Sequence, residues 1–145
     1  MNILSIDSSG SSLSIALKIG DETMLFSDSE ARKASRIILS NIDKIMSDNK
    51  LDVSDLNLII FNKGPASFTG TRIAASVCQA IGYTLNIPVI GVNSLSLMAY
   101  NYYSQSSYSK IICIKKGNTH LFTPSLTRGI RISTSIPIIF FIIII

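Results

Sequence analysis

The sequence predicts an α/β domain built on a mixed sheet, and three observations predict it. Residues 2–27 hold three short apolar or alternating runs separated by polar turns, the pattern of an antiparallel meander. Leu56–Phe61 is a nearly continuous apolar run bounded by Asn62, Lys63, Gly64 and Pro65, as expected of a strand buried on both faces. Helical periodicity precedes and follows that run. Strands and helices therefore alternate, and the strands after the first crossover should be parallel.

In chain order, Asn2–Asp7 reads as a short apolar strand ending in an acid. Asp7-Ser8-Ser9-Gly10-Ser11 is a turn by composition. Leu13, Ile15 and Leu17 alternate with Ser14, Ala16 and Lys18, so one face of this second strand is buried. Gly20-Asp21 marks another turn before a third strand, Thr23–Ser27. A helix is expected over about Lys33–Ser47, because Ile38, Ile42, Ile45 and Met46 fall on one face while Arg36, Asp43 and Lys44 lie off it. Leu51–Asp55 is a connector. After the central strand comes the loop Gly64–Gly70 and then a helix from about Thr71 to Leu85. Pro88–Val92 is a strand with Pro88 at its first position, where a missing N–H does least harm. Ser94 is placed to cap a third helix over about Leu95–Tyr103. Lys110–Ile114 is a further strand candidate.

Composition removes several function classes. The 145 residues are 47% apolar and only 15% charged, which is incompatible with overall disorder. The two cysteines, Cys78 and Cys113, have no paired spacing, so the chain reads as reduced and cytoplasmic rather than as a disulfide scaffold. His120 is the single histidine, and no metal site is expected. No membrane association is expected. The start of the chain lacks a basic leader, and its longest apolar run, Ile136–Ile145, holds Pro137 and is about half the roughly 20 residues a bilayer requires.

Charge is unevenly spread. Residues 1–55 hold all nine acids against six bases, whereas residues 56–145 hold seven bases and no acid. A basic, RNA-facing half is one reading. Compositional drift is the other, and the 26 isoleucines and 23 serines favour it. From about residue 123 the periodicity is lost and the chain ends almost purely in Ile and Phe. That segment, 123–145, is expected to be an aberrant or decayed tail, with a buried edge strand as the rival reading.

Chemistry concentrates at two loops. Asp7 ends a strand before a Ser/Gly turn, where a carboxylate can hold a metal-bound water and N–H groups can hold a phosphate; the same composition also serves a plain turn. Gly64-Pro65-Ala66-Ser67-Phe68-Thr69-Gly70 lies between a buried strand and a helix N-terminus, where backbone N–H groups and the helix dipole favour an anion. Gly64 and Gly70 permit tight geometry, Pro65 stiffens the loop, and Ser67 or Thr69 can cap the helix. Arg72 opposes the dipole of that helix, so it requires an acid, a phosphate or a subunit contact, unless it simply lays its stem on the core. From Ile73 to Ser109 no residue is charged, and the helix is rich in small groups (Ala74, Ala75, Ser76, Cys78, Ala80, Gly82). A surface helix ordinarily carries charge outward. This one is expected to pack on a partner, with Ile38, Ile42, Ile45, Ala75, Cys78, Gln79 and Gly82 as the interface; burial within the chain itself is the rival reading. No catalytic set is present: there is no Ser/His/Asp combination, no Gly-rich Lys-Ser/Thr phosphate loop and no histidine pair.

Three segments carry a family resemblance. Ile3-Leu4-Ser5-Ile6-Asp7-Ser8-Ser9, followed by Leu13-Ser14-Ile15-Ala16-Leu17, resembles the opening of TsaB (YeaZ-type) proteins of the glycoprotease-like (Gcp-like) family. Gly64-Pro65-Ala66-Ser67-Phe68-Thr69-Gly70-Thr71-Arg72-Ile73-Ala74 resembles that family's Gly-Pro-Gly-Ser-Phe-Thr-Gly-Leu-Arg-Ile-Gly signature, and Ile87–Leu95 resembles the segment after it. The likeness covers about residues 2–100. It implies the actin-like (ribonuclease H-like) fold, with residues 1–109 as the first lobe, 110–122 as the start of a largely missing second lobe, and Asp7, Ser8, Gly64, Pro65, Ser67, Thr69, Gly70 and Arg72 as a vestigial phosphate loop.

The resemblance further implies a non-catalytic subunit. It would form a heterodimer with a TsaD-like catalytic subunit and act with a TsaE-like ATPase in N6-threonylcarbamoyladenosine formation beside the tRNA anticodon. ATP would be used by the complex and no cofactor held by this chain alone; tRNA would be met through the complex, and a homodimer could form without the partner. The alternatives are a small nucleotide-binding or glycoprotease-like enzyme of the same fold acting through Asp7 and the Gly64–Gly70 loop, and a remnant without function. The sequence departs from the family at Ala34-Ser35-Arg36, where His-Ser-Glu is usual, and at Ala66, Thr71 and Ala74. An alanine at a position needing positive φ would strain the loop.

Overall fold

Three antiparallel strands open the fold: β1 (Asn2–Asp7), β2 (Leu13–Ile19) and β3 (Glu22–Asp28). They are followed by α1 (Ala34–Asp48), β4 (Leu58–Asn62), α2 (Phe68–Leu85), β5 (Val89–Val92) and α3 (Ser94–Ser104). This computed structural model describes residues 1–29 and 34–104. The expected strand at Lys110–Ile114, the segments 110–122 and 123–145, Cys113 and His120 lie outside the described residues.

The sheet order is β3-β2-β1-β4-β5. β1 pairs antiparallel with β2 (Leu4 opposite Leu17, Ile6 opposite Ile15) and parallel with β4 (Leu4 opposite Ile59, Ile6 opposite Phe61). β5 adds in parallel to β4. The mixed sheet is therefore as the hydrophobic patterning predicts.

Period-2 alternation decides which side chains face the helices. Leu4, Ile6, Leu13, Ile15, Leu17 and Ile59 project to one face and are fully buried. α1 and α2 pack there, contributing Ile38, Ile42, Ile45, Met46, Ala74 and Cys78 to one continuous core. Each such Leu or Ile contributes roughly 1.5–3 kcal/mol relative to exposure. Ile3, Leu58 and Ile60 form a smaller cluster on the opposite face, with Val92 against it.

Local signals explain the boundaries. Asp52 and Asp55 form a reciprocal capping box around a single 3-10 turn, Val53–Asp55, where the sequence suggests only a connector. α2 begins at Phe68, three residues earlier than its periodicity indicates, because Ser67 caps it by accepting from the Gly70 N–H. Asn86, at φ 55°, ends it in the left-handed conformation. Gly82 is fixed by contact: a Cβ there would collide with the Val89 side chain and lie 2.8 Å from the Ile87 carbonyl oxygen. Among the described residues no helix is long and apolar enough to cross a membrane.

Candidate functional site

The loops after β1 and β4 meet at the carboxyl end of the sheet, and Asn62 joins them. It is the last residue of β4 and is fully buried. Its Nδ2 donates to Asp7 Oδ2 and to Ser9 Oγ, each at 3.0 Å. Its Oδ1 accepts from the Gly64 N–H at 2.9 Å and from Ser94 Oγ at 2.7 Å. A carboxamide has two N–H donors and two acceptor lone pairs, so Asn62 is completely used. Four bonds from one side chain tie the end of β1, the loop after β4 and the start of α3 together.

The rest of the cluster closes in the same way. Asp7 Oδ1 accepts from the Ser9 N–H at 2.8 Å. Ser8 Oγ donates to the Gly70 carbonyl at 2.7 Å, and the Ser67 N–H donates to the Ser9 carbonyl at 2.9 Å. Gly70 is needed for this approach, since a Cβ would run into the Ser8 carbonyl. Gly64 carries φ +91°, and its carbonyl accepts from the Ser94 N–H at 2.8 Å. Pro65 is half-buried beside it. Thr69 and Arg72 of the expected set lie toward the groove between α1 and α2, while the structure brings Asp7, Ser8, Gly64, Pro65, Ser67 and Gly70 together. Their polar groups, however, bond to one another.

Two expectations about this loop are corrected. Positive φ falls on Gly64 and not on Ala66, so the alanine there carries no left-handed strain. Ser94 does not cap α3. Asn93 does, its Oδ1 accepting from the Leu95 N–H at 2.8 Å, which leaves the Ser94 hydroxyl for Asn62.

The second region is the groove between α1 and α2. It has a volume of about 460 Å³ and is lined by Ile38, Leu39, Phe68, Arg72, Ile73 and Val77 together with Ser35, Thr69 and Ser76. Leu39 is 60% exposed and Phe68 68% exposed. The Arg72 guanidinium lies 3.6 Å over the centroid of the Phe68 ring. A cation–π contact therefore holds the arginine that the helix dipole disfavours. Beyond Arg72, the exposed side of α2 runs through Ser76, Gln79 and Ala80 to Tyr83, which is 93% exposed, without another charge.

Most of the expected interface residues are placed differently. Ile42, Ile45, Cys78 and Gly82 are buried within the chain's own core, and Ile38 forms the floor of the groove at 1% exposure. The reason is the stripe itself: side chains spaced to share one helix face are claimed by the sheet. Burial also pushes the Cys78 thiol up to about 12. Ala75 is half-buried, and Gln79 alone of the set is fully on the outer side. Sequence reasoning missed Leu39 and Phe68. The available signal was an apolar residue at the margin of the α1 stripe and an aromatic in the cap of α2. It also missed Asn62, whose signal was a lone amide closing an apolar strand before Gly-Pro.

The mixed five-stranded sheet with its flanking helices is consistent with the first lobe of an actin-like, ribonuclease H-like fold. The family model described as TsaD, tRNA N6-adenosine threonylcarbamoyltransferase, matches residues 28–125. The chain is 37% identical over 117 residues to the tRNA threonylcarbamoyladenosine biosynthesis protein TsaB of Buchnera aphidicola from Acyrthosiphon pisum, covering 79% of this chain and 53% of that protein. Against TsaB of Escherichia coli it is 27% identical over 112 residues, covering 77% and 48%. YeaZ from Pseudomonas aeruginosa shares the fold with a TM-score of 0.69 at 20% identity, covering 86% of this chain and 66% of that one. The chain belongs to the threonylcarbamoyltransferase family, as a TsaB, YeaZ-type member. It spans about half the length of the curated relatives it matches.

Proposed function

We propose that this chain is a non-catalytic scaffold subunit in tRNA N6-threonylcarbamoyladenosine biosynthesis. It docks on a TsaD-type catalytic subunit through the outer faces of α1 and α2, with residues 1–109 acting as the lobe that docks. The observation that carries this reading is the α1/α2 groove. It exposes Leu39 and Phe68 beside a helix whose outer side has one charge over 18 residues. Exposed apolar surface of this kind marks an interaction site.

The loop cluster supports the same reading from the other side. Both Asp7 carboxylate oxygens accept hydrogen bonds from the chain itself, and Ser67 caps α2. Asp7 and Ser67 are thereby engaged in holding the loops together. Nucleotide chemistry is therefore assigned to the complex, with a TsaE-type ATPase, and tRNA is met through the complex in the cytoplasm.

Co-purification of the full chain with the TsaD-type subunit tests the proposal. A stoichiometric complex that persists in Asp7→Ala, with no turnover by this chain alone, is the expected result. Absence of a complex, or unaided turnover lost in Asp7→Ala, refutes it.

A further inference from the structure

Asn62 is a reversible element held in one direction by its neighbours. Turning its carboxamide by half a revolution exchanges donor for acceptor without moving the chain. Two hydroxyls beside it can follow either direction, because each can give or accept: Ser9 Oγ on the Nδ2 side and Ser94 Oγ on the Oδ1 side. The remaining partners cannot. The line of bonds starts at the Ser9 N–H, passes through Asp7 and Asn62, and ends at the Gly64 N–H, at 2.8, 3.0 and 2.9 Å in turn. Both ends are backbone donors. A carboxamide offers one donor side and one acceptor side, so two carboxamides in this line would always leave two N–H groups face to face. Two carboxylates would set oxygen against oxygen. A single carboxylate satisfies every bond, and at Asp7 it obliges Asn62 to turn Oδ1 toward Gly64 and Ser94.

The start of α3 rests on that direction. Ser94 and Asn62 are both fully buried, and Ser94 is obliged to donate. Gly64 receives Asn62 with its N–H and the Ser94 N–H with its carbonyl, the latter at 2.8 Å. Leu95, next in the first turn of α3, is fully buried.

We propose that Asn62 is a polarity relay: the Asp7 carboxylate sets the direction of its carboxamide, and Asn62 passes that direction to Gly64 and the first turn of α3. Asn62 is a positioning residue in this device. The β1 loop and α3 are coupled through one reversible side chain, and a change that removes the Asp7 acceptor loosens α3. The relay is independent of docking through α1 and α2.

The test exchanges the two side chains in the full chain, with urea unfolding and amide exchange measured for Asp7→Asn, Asn62→Asp and the double variant Asp7→Asn/Asn62→Asp. Each single variant is nearly isosteric, yet each is expected to lower stability, by placing donor against donor or carboxylate against carboxylate. The double variant restores a single carboxylate to the line and is expected to be more stable than either single variant. In Asp7→Asn, exchange at the Gly64 and Ser94 amides should rise roughly tenfold, and in the double variant it should fall back toward the wild type. A double variant that folds where a single variant does not gives the same answer. Losses that simply add in the double variant, or a rise in exchange confined to Ser9 in Asp7→Asn, would overturn the relay.

Discussion

The loop cluster and the helix groove lie on the same α2, yet they treat their polar and apolar groups in opposite ways. Around Asn62 the polar groups bond within the chain: both donors and both acceptors of its carboxamide are used, and each oxygen of Asp7 accepts a hydrogen bond. Around Leu39 and Phe68 large apolar groups stand exposed among the described residues, and the nearby cation rests on the Phe68 ring. In this structure the loop groups bond to one another, while the groove presents its apolar groups outward.

The contrast can be broken most severely at the contact between the loops. Gly70→Ala forces a Cβ into the Ser8 carbonyl, and neither backbone can yield without opening the cluster. A loss of about 3 kcal/mol or more is expected, read as a fall in the denaturation midpoint. Next in size is Asn62→Leu, which strands the partners of four hydrogen bonds in a buried setting. About 2–4 kcal/mol should be lost in urea unfolding, with greater amide exchange at Gly64 and Ser94.

The groove should behave in the reverse sense. Leu39→Ser is expected to change stability by less than about 0.5 kcal/mol while weakening the complex with the catalytic subunit. Calorimetric unfolding and a binding titration on the same sample would separate the two effects.

Cys78 gives a pH-dependent check on the buried side. Its thiol, raised from 9.0 to about 12 by burial, is neutral in the fold where the unfolded thiol would already ionise. The stability this confers is complete below pH 9 and is lost as pH rises toward 12, as the unfolded chain releases its proton first. Thiol reagents at neutral pH should therefore label Cys78 only as fast as the chain opens.

A small effect of opposite sign is expected at Ser5, the inverse of Asn62. Among the described residues its buried hydroxyl meets no hydrogen-bond partner. Ser5→Ala should be neutral or stabilising by up to about 1 kcal/mol in the same unfolding assay.

Much of this architecture was legible in the sequence, because alternation at Leu13, Ile15 and Leu17 and the stripe Ile38, Ile42, Ile45 and Met46 report burial directly. The same stripe misled about the interface. Periodicity shows that residues share a face, but not whether a sheet or another polypeptide covers it. In α1 the sheet covers it, and the outward apolar residue is Leu39 at its margin. Helix starts were displaced wherever a cap decided them: Ser67 moves α2 back to Phe68, and Asn93 takes the place expected for Ser94. Asn62 was legible only as a strand boundary. Its four partners come from residues 7, 9, 64 and 94, and only the folded topology brings them within reach.

The central claim is that the groove side, and not the loop side, carries the activity of this chain. The most direct measurement is the affinity of the full chain for the TsaD-type subunit, compared between Leu39→Ser and Asp7→Asn. The account predicts that Leu39→Ser weakens the complex about tenfold or more and that Asp7→Asn leaves it unchanged. Equal binding by Leu39→Ser and the wild type, or loss of binding on Asp7→Asn alone in a chain that remains folded, would contradict it.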